Sequence, residues 1–125
     1  MDCPAQPRAL ILDDQAGIAA LIEETLSLNG WQCTVLTDPM RLESALAAEF
    51  DLIACDFKMP ERNGLEVLRY VRRNHPLLAR HFLLMTGNPT ELGGYSSEFE
   101  GVPILVKPFT LSQLLRATEK LLQQQ

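Results

Sequence analysis

The chain contains no apolar run approaching the ~18 residues of a membrane-crossing helix. Its N-terminus shows no basic region followed by an apolar stretch, so no secretory signal is legible. Positive charge is scarce. Eleven Lys and Arg stand against 16 Asp and Glu, a formal net charge of −5, and the sequence pI is about 4.9. Nucleic-acid phosphates are held by basic faces, so that class of direct partner is excluded. Only three cysteines occur, Cys3, Cys33 and Cys55. An odd count at wide spacing suits neither a disulfide framework nor a zinc site. Cys33 and Cys55 read as buried, reduced thiols, and the compartment as cytoplasmic. There is no internal repeat, and low complexity is confined to the short glutamine tail. What remains is ample for one domain: 125 residues, 46% of them hydrophobic.

The rest of the chain is arranged around Asp51-Leu52-Ile53-Ala54-Cys55-Asp56. A short apolar run without alternation reads as a strand buried on both faces, as in a parallel sheet. Asp56 then stands at that strand's carboxyl end, where open α/β sheets bind their ligands. Pro60 and Gly64 hold the following residues in a loop. A lone Asp there would be a turn residue. The other strands change that reading.

Residues 1–8 form a polar leader with Pro4 and Pro7. Ala9 to Leu12 is a first strand, closed by Asp13-Asp14. Ile18, Leu21, Ile22, Leu26 and Leu28 are spaced as the buried stripe of a helix, which Asn29-Gly30 stops. Trp31 to Leu36 is a second strand. Asp38-Pro39 caps a second helix, with Leu42, Ala45, Leu46 and Phe50 on one face. After the strand ending at Asp56, a third helix runs from Leu65 to Asn74 and stops at His75-Pro76. Phe82 to Met85 is a fourth strand, closed by Thr86-Gly87. Residues 88–101 hold Pro89, Gly93 and Gly94, so any helix there is short and weak, and the segment is expected to be the most mobile. Val102 to Val106 is a fifth strand, placed at a sheet edge by Pro103 and closed by Lys107-Pro108. Thr110 and Gln113 form a capping box, with Phe109 and Leu114 as its staple, for a last helix running to about Leu122. Residues 9–122 are thus one domain, and residues 123–125 a tail or the start of a linker. Strands alternating with helices specify a doubly wound parallel sheet, an α/β flavodoxin-like (βα)5 fold with strand order 2-1-3-4-5.

Four strand ends carry polar groups, namely Asp13-Asp14, Asp56, Thr86 and Lys107, and a parallel sheet gathers them at one edge. Clustered carboxylates repel, and a dication with a taste for hard oxygen, Mg²⁺, relieves them. A carboxylate kept ionised there can attack phosphorus. Lys107 brings positive charge and Thr86 a hydroxyl for the phosphoryl oxygens. The set suits phosphoryl transfer onto Asp56.

With these residues in view, the chain resembles a response-regulator receiver domain of two-component signalling, like the chemotaxis regulators. The resemblance rests on Asp13-Asp14, on Asp56 with Met59-Pro60 and Gly64 behind it, on Thr86-Gly87 and on Lys107-Pro108-Phe109. It implies that Asp56 is the phospho-accepting residue of a phosphorelay. Asp14 would be a direct Mg²⁺ ligand, Asp13 a ligand through water, and the backbone carbonyl of Lys58 would complete the site. Thr86 and Lys107 would close on the phosphoryl group, and the Lys107-Pro108 bond would be cis. It implies a sensor histidine kinase or phosphotransfer protein as donor, and an output domain or protein as target. Such a domain is no enzyme in the ordinary sense, although it catalyses its own phosphorylation and dephosphorylation. It either stands alone or serves as a module of a longer regulator or hybrid kinase. Ile104 departs from the family, which often has an aromatic residue there. The switch would then travel through the backbone and through Tyr95 or Phe99 packing on the fifth strand.

The alternative is an aspartate-nucleophile phosphatase of the haloacid-dehalogenase type. Its Asp-x-Asp motif would require a second Asp where Lys58 stands, and the chain has no room for a cap domain. A flavodoxin relative would need a Ser/Thr/Gly-rich loop where Asp13-Asp14-Gln15 stands. A degenerate receiver would not need the full polar set.

Overall fold

The computed structural model describes residues 6–123. Five strands are present: β1 (Arg8–Leu12), β2 (Gln32–Leu36), β3 (Leu52–Asp56), β4 (Phe82–Thr86) and β5 (Ile104–Val106). They form one sheet in the order β2-β1-β3-β4-β5, every adjacent pair parallel. This is the expected topology. Most of the polar leader lies outside the described residues, and Arg8 already belongs to β1.

Successive side chains leave the sheet on opposite faces. Leu10, Leu12, Ile53, Cys55, Phe82 and Leu84 enter one buried cluster. Ala9, Ile11, Leu52, Ala54, Leu83 and Met85 enter the other. Both faces are dry, which is why the strands read as unbroken apolar runs. The first cluster is covered by α2 (Leu42–Ala45), α3 (Gly64–Asn74) and α4 (Pro76–Ala79). The second is covered by α1 (Ala16–Ser27) and α5 (Leu111–Gln123).

The helices depart from the sequence reading in four places. In α1 the buried residues are Ala19, Ile22, Thr25 and Leu26, while Leu21 and Leu28 are 49% and 79% exposed. At 3.6 residues per turn, both leucines fall about 100° or more from the Ile22–Leu26 line. The second helix begins as a 3₁₀ turn at Pro39–Arg41 and ends after one α turn. There Ala47 and Ala48 donate to Ser44 and Ala45, three residues back, and the tighter turn ends the helix before Phe50. His75 ends α3 as expected, but Pro76, with its fixed φ, at once starts the short α4. Finally, Pro89–Phe99 is a 3₁₀ segment, broken where Gly93 takes φ 36 and ψ −120. Leu92 and Phe99 are buried on either side of that break.

β5 lies at the edge, as the proline implied. Pro103 precedes the strand and uses its carbonyl to accept from Leu84 N–H at 3.0 Å. The capping box of α5 is present in both directions, Thr110 N–H to Gln113 Oε1 at 2.8 Å and Gln113 N–H to Thr110 Oγ1 at 3.1 Å.

Candidate functional site

Parallel strands end together, and here their ends surround an open cavity of about 590 Å³ lined by Asp14, Asp56, Lys58, Gly87, Glu91 and Lys107, among others. Asp13 follows β1 and is fully buried. Its N–H donates to Leu36 O at 3.2 Å, and its Oδ1 accepts from Gln15 N–H at 2.9 Å. Asp14 points outward and is exposed.

Asp56 closes β3. The ladder continues one step past it, through Phe57 N–H to Met85 O at 2.8 Å. The chain then loops back to α3, whose first residue comes very close. Gly64 N–H donates to Phe57 O at 2.7 Å. A Cβ on Gly64 would lie 3.0 Å from Phe57 Cα and 3.1 Å from Asp56 O. Glycine is therefore what lets the helix seat directly behind Asp56. Asn63 and Glu66 fix that helix start with a capping box.

One oxygen from each of Asp13, Asp14 and Asp56 can be gathered within 4.8 Å. Lys107 Nζ lies among them, 3.0 Å from Asp13 Oδ2 and 3.2 Å from Asp56 Oδ1. Its own position is set by Lys107 N–H donating to Thr86 O at 2.8 Å, and the Lys107-Pro108 bond is cis. The electrostatics follow from burial and from the count of charges. Burial, then the charge of Asp13, raises Asp56 from its ordinary 3.8 to about 6 against the pull of Lys107. Burial works against the Lys107 ammonium as well. The hydrogen bond to Asp13 and the charge of Asp56 outweigh it and hold the amine above its ordinary value. Burial, then the Asp56 charge, pushes the Cys55 thiol up, so it stays protonated behind the site.

The structure thus brings Asp13, Asp14, Asp56 and Lys107 together as the strand ends implied. Lys58 lines the cavity, with its ammonium turned outward. Thr86 is adjacent but differently engaged. Its hydroxyl is buried, lying 3.2 Å from Asn88 O and 3.3 Å from Glu91 Oε2. Glu91 is a residue that sequence reasoning missed. It falls in the segment whose periodicity is broken by Pro89 and Gly93, so nothing in the pattern aimed it at the cavity. The expected relay onto β5 also takes another form. Tyr95 is 49% exposed. Phe99 meets Phe57 edge-on, 6.0 Å between centroids, in the cluster under α3, whereas the buried Leu105 of β5 belongs to the opposite cluster.

Comparison with known proteins agrees with this arrangement. The transcriptional regulator NtrC of Escherichia coli is 27% identical over 112 residues, covering 88% of this chain and 24% of that protein. The response regulator ArlR of Staphylococcus saprophyticus is 28% identical, covering 94% of this chain and 53% of its own. This chain therefore spans between about a quarter and a half of the curated relatives it matches. Among solved structures, chemotaxis protein CheY4 of Vibrio cholerae superposes with a TM-score of 0.83 at 26% identity, covering 94% of this chain and 99% of that one. The response regulator TrrA of Thermotoga maritima, solved in complex with Mg²⁺ and BeF, gives 0.79 at 25% identity, covering 92% of this chain and 98% of its own. The family model for the response regulator receiver domain matches residues 9–119. With that match over most of its length, and with the sheet order and acidic pocket found here, the chain belongs to the response regulator receiver domains.

Proposed function

We propose that Asp56 accepts a phosphoryl group from the phosphohistidine of a sensor kinase or phosphotransfer protein, and that the occupied pocket then signals to an output domain or protein. The observation that carries this is the meeting of the three carboxylates with the Lys107 ammonium at the strand ends. An Asp56 oxygen attacks phosphorus, the P–N bond breaks, and the imidazole leaves. Lys107 is placed to donate to a phosphoryl oxygen. Asp56 must be ionised to attack, and at neutral pH its value of about 6 leaves it so.

Three clustered carboxylates are hard oxygen ligands that fit Mg²⁺, with Asp14 exposed. Asp13, Asp14, Asp56 and the Lys58 carbonyl would hold it. When bound, the ion offsets carboxylate and phosphoryl charge. The response regulator TrrA was solved in complex with Mg²⁺ and BeF, which supports reading this acidic pocket as a Mg²⁺ site. Histidine-kinase donors act in the cytoplasm, and among the described residues no helix is long and apolar enough to cross a membrane. The phosphatase alternative lacks its second Asp, because the side chain at Lys58 is a cation reaching toward Glu91, 4.0 Å away.

Incubation with a small phosphodonor and Mg²⁺, followed by mass spectrometry, tests the reading. Asp56 should gain one phosphoryl group, and chelator or Asp56→Asn should abolish it. Labelling of Asp56→Asn at the unaltered rate would refute it.

A further inference from the structure

Thr86 Oγ1 accepts from Asn88 N–H at 3.2 Å. Its single proton has two acceptors in reach, Asn88 O and Glu91 Oε2. A carboxylate is the stronger acceptor of the two. Glu91 lines the same cavity as Asp56 and Lys107. Its other oxygen, Oε1, lies 4.0 Å from Lys58 Nζ, two residues beyond Asp56. Glu91 itself stands two residues before the positive-φ pivot at Gly93.

From this geometry we infer that Glu91 is a positioning residue, a lock that holds the Thr86 hydroxyl until a phosphoryl oxygen displaces it. The inference rests on the phospho-acceptor reading of Asp56. A phosphoryl group on Asp56 and the Glu91 carboxylate are both anions competing for one hydroxyl proton. They cannot both have it, and their charges repel across one cavity. Arrival of the phosphoryl group therefore releases Glu91, and with it the first turn of the Pro89–Phe99 segment. Lys58 adds a weak second tether, since its ammonium is largely exposed. Glu91 thus sets how far the unphosphorylated domain is held from its switched form. A ligand moves such an equilibrium only by binding the two forms unequally, and the lock supplies that inequality.

The test is a double-mutant cycle with beryllofluoride and Mg²⁺ as the probe. Glu91→Ala should bind beryllofluoride about three- to tenfold tighter than the unaltered chain, the worth of one exchanged hydrogen bond. In a Thr86→Ala background the same substitution should change affinity less than about twofold, because the lock has lost its target. Equal tightening in both backgrounds would assign the effect to the Glu91 charge alone and overturn the inference. So would an affinity that Glu91→Ala leaves unchanged in the chain that keeps Thr86. A second measurement needs no phosphoryl analogue. Three-bond couplings should show one Thr86 χ1 rotamer in the unaltered protein and averaging in Glu91→Ala. Identical couplings would show that Glu91 holds nothing. If the unaltered chain fails to bind beryllofluoride, the phospho-acceptor reading falls, while the couplings still judge the Glu91 contact separately.

Discussion

A carboxylate buried beside another carboxylate resists ionisation, and Asp56 is in that position. Its folded value of about 6 lies above its ordinary 3.8, so the folded chain holds this proton more tightly than the unfolded chain does. Between those values stability falls as pH rises, and above about 6 the whole penalty is present. In chelator, the unaltered protein should therefore lose stability relative to Asp56→Asn between about pH 4 and pH 6. Urea midpoints for the pair across that range are the check. Curves that stay parallel would show that Asp56 ionises as freely as in water. The residues of this site differ in how visible they are in sequence. Asp13, Asp14, Asp56 and Lys107 each end an apolar run, so strand logic alone places them on one edge. Glu91 lies in a 3₁₀ segment where three-residue turns and a positive-φ glycine erase any period, and only the folded chain shows where it points. The bond from the Thr86 hydroxyl to Glu91 was hidden for the same reason.

At the scale of elements, long strands and amphipathic helices were legible, and short or tight ones were not. β3 and β4 announce themselves because both faces are buried. The added α4 was masked by Pro76, since a proline starts a helix as readily as it stops one, and the single α turn of α2 by a helical spacing out to Phe50 that outlasts the helix. The Pro89–Phe99 segment carries the prediction at this scale. Its ends are fastened: Leu92 is buried and Glu91 accepts from the Thr86 hydroxyl at one end, while at the other Phe99 lies against Phe57 and Glu98 receives Arg69 through two bonds of 2.6 and 2.8 Å. Its middle is not fastened, since residues 93–97 are exposed and 3₁₀ bonds are poorly aligned. Amides of residues 93–97 should exchange faster than those of Leu92 and Phe99, and should slow when Mg²⁺ and beryllofluoride are added. Hydrogen exchange followed by mass spectrometry or NMR reads this. Uniform protection of the segment, unchanged by the analogue, would place the response on another surface.

For the molecule as a whole, the acidic pocket is a standing cost in the absence of a cation. Three carboxylates face one ammonium. Mg²⁺ should therefore raise the unfolding midpoint, by about 2.7 kcal/mol of stability at a hundredfold excess over its dissociation constant. Asp14→Ala should be more stable than the unaltered chain in chelator and should respond less to Mg²⁺. Asp13→Ala should keep more of that response. Thermal scans of the three proteins with and without the ion decide the matter, and identical Mg²⁺ responses would exclude the carboxylates as ligands.

The direction of the chain through this fold has a consequence for anything attached to it. β1 starts at the edge of the sheet opposite the pocket. α5 returns to that same edge, where Lys120 and Leu121 share a groove with Gly101, Val102 and Pro103 at the foot of β5. Both ends of the described chain therefore leave from the base, a strand's length or about 17 Å from the strand ends where Asp56 sits. A neighbour joined at either end hangs below the pocket. It reaches the strand ends only along the flanks of the domain, and it leaves the mouth of the cavity clear. By the same geometry, a tether fastened at residue 6 or residue 123 holds the domain to a sensor surface with the strand ends turned outward.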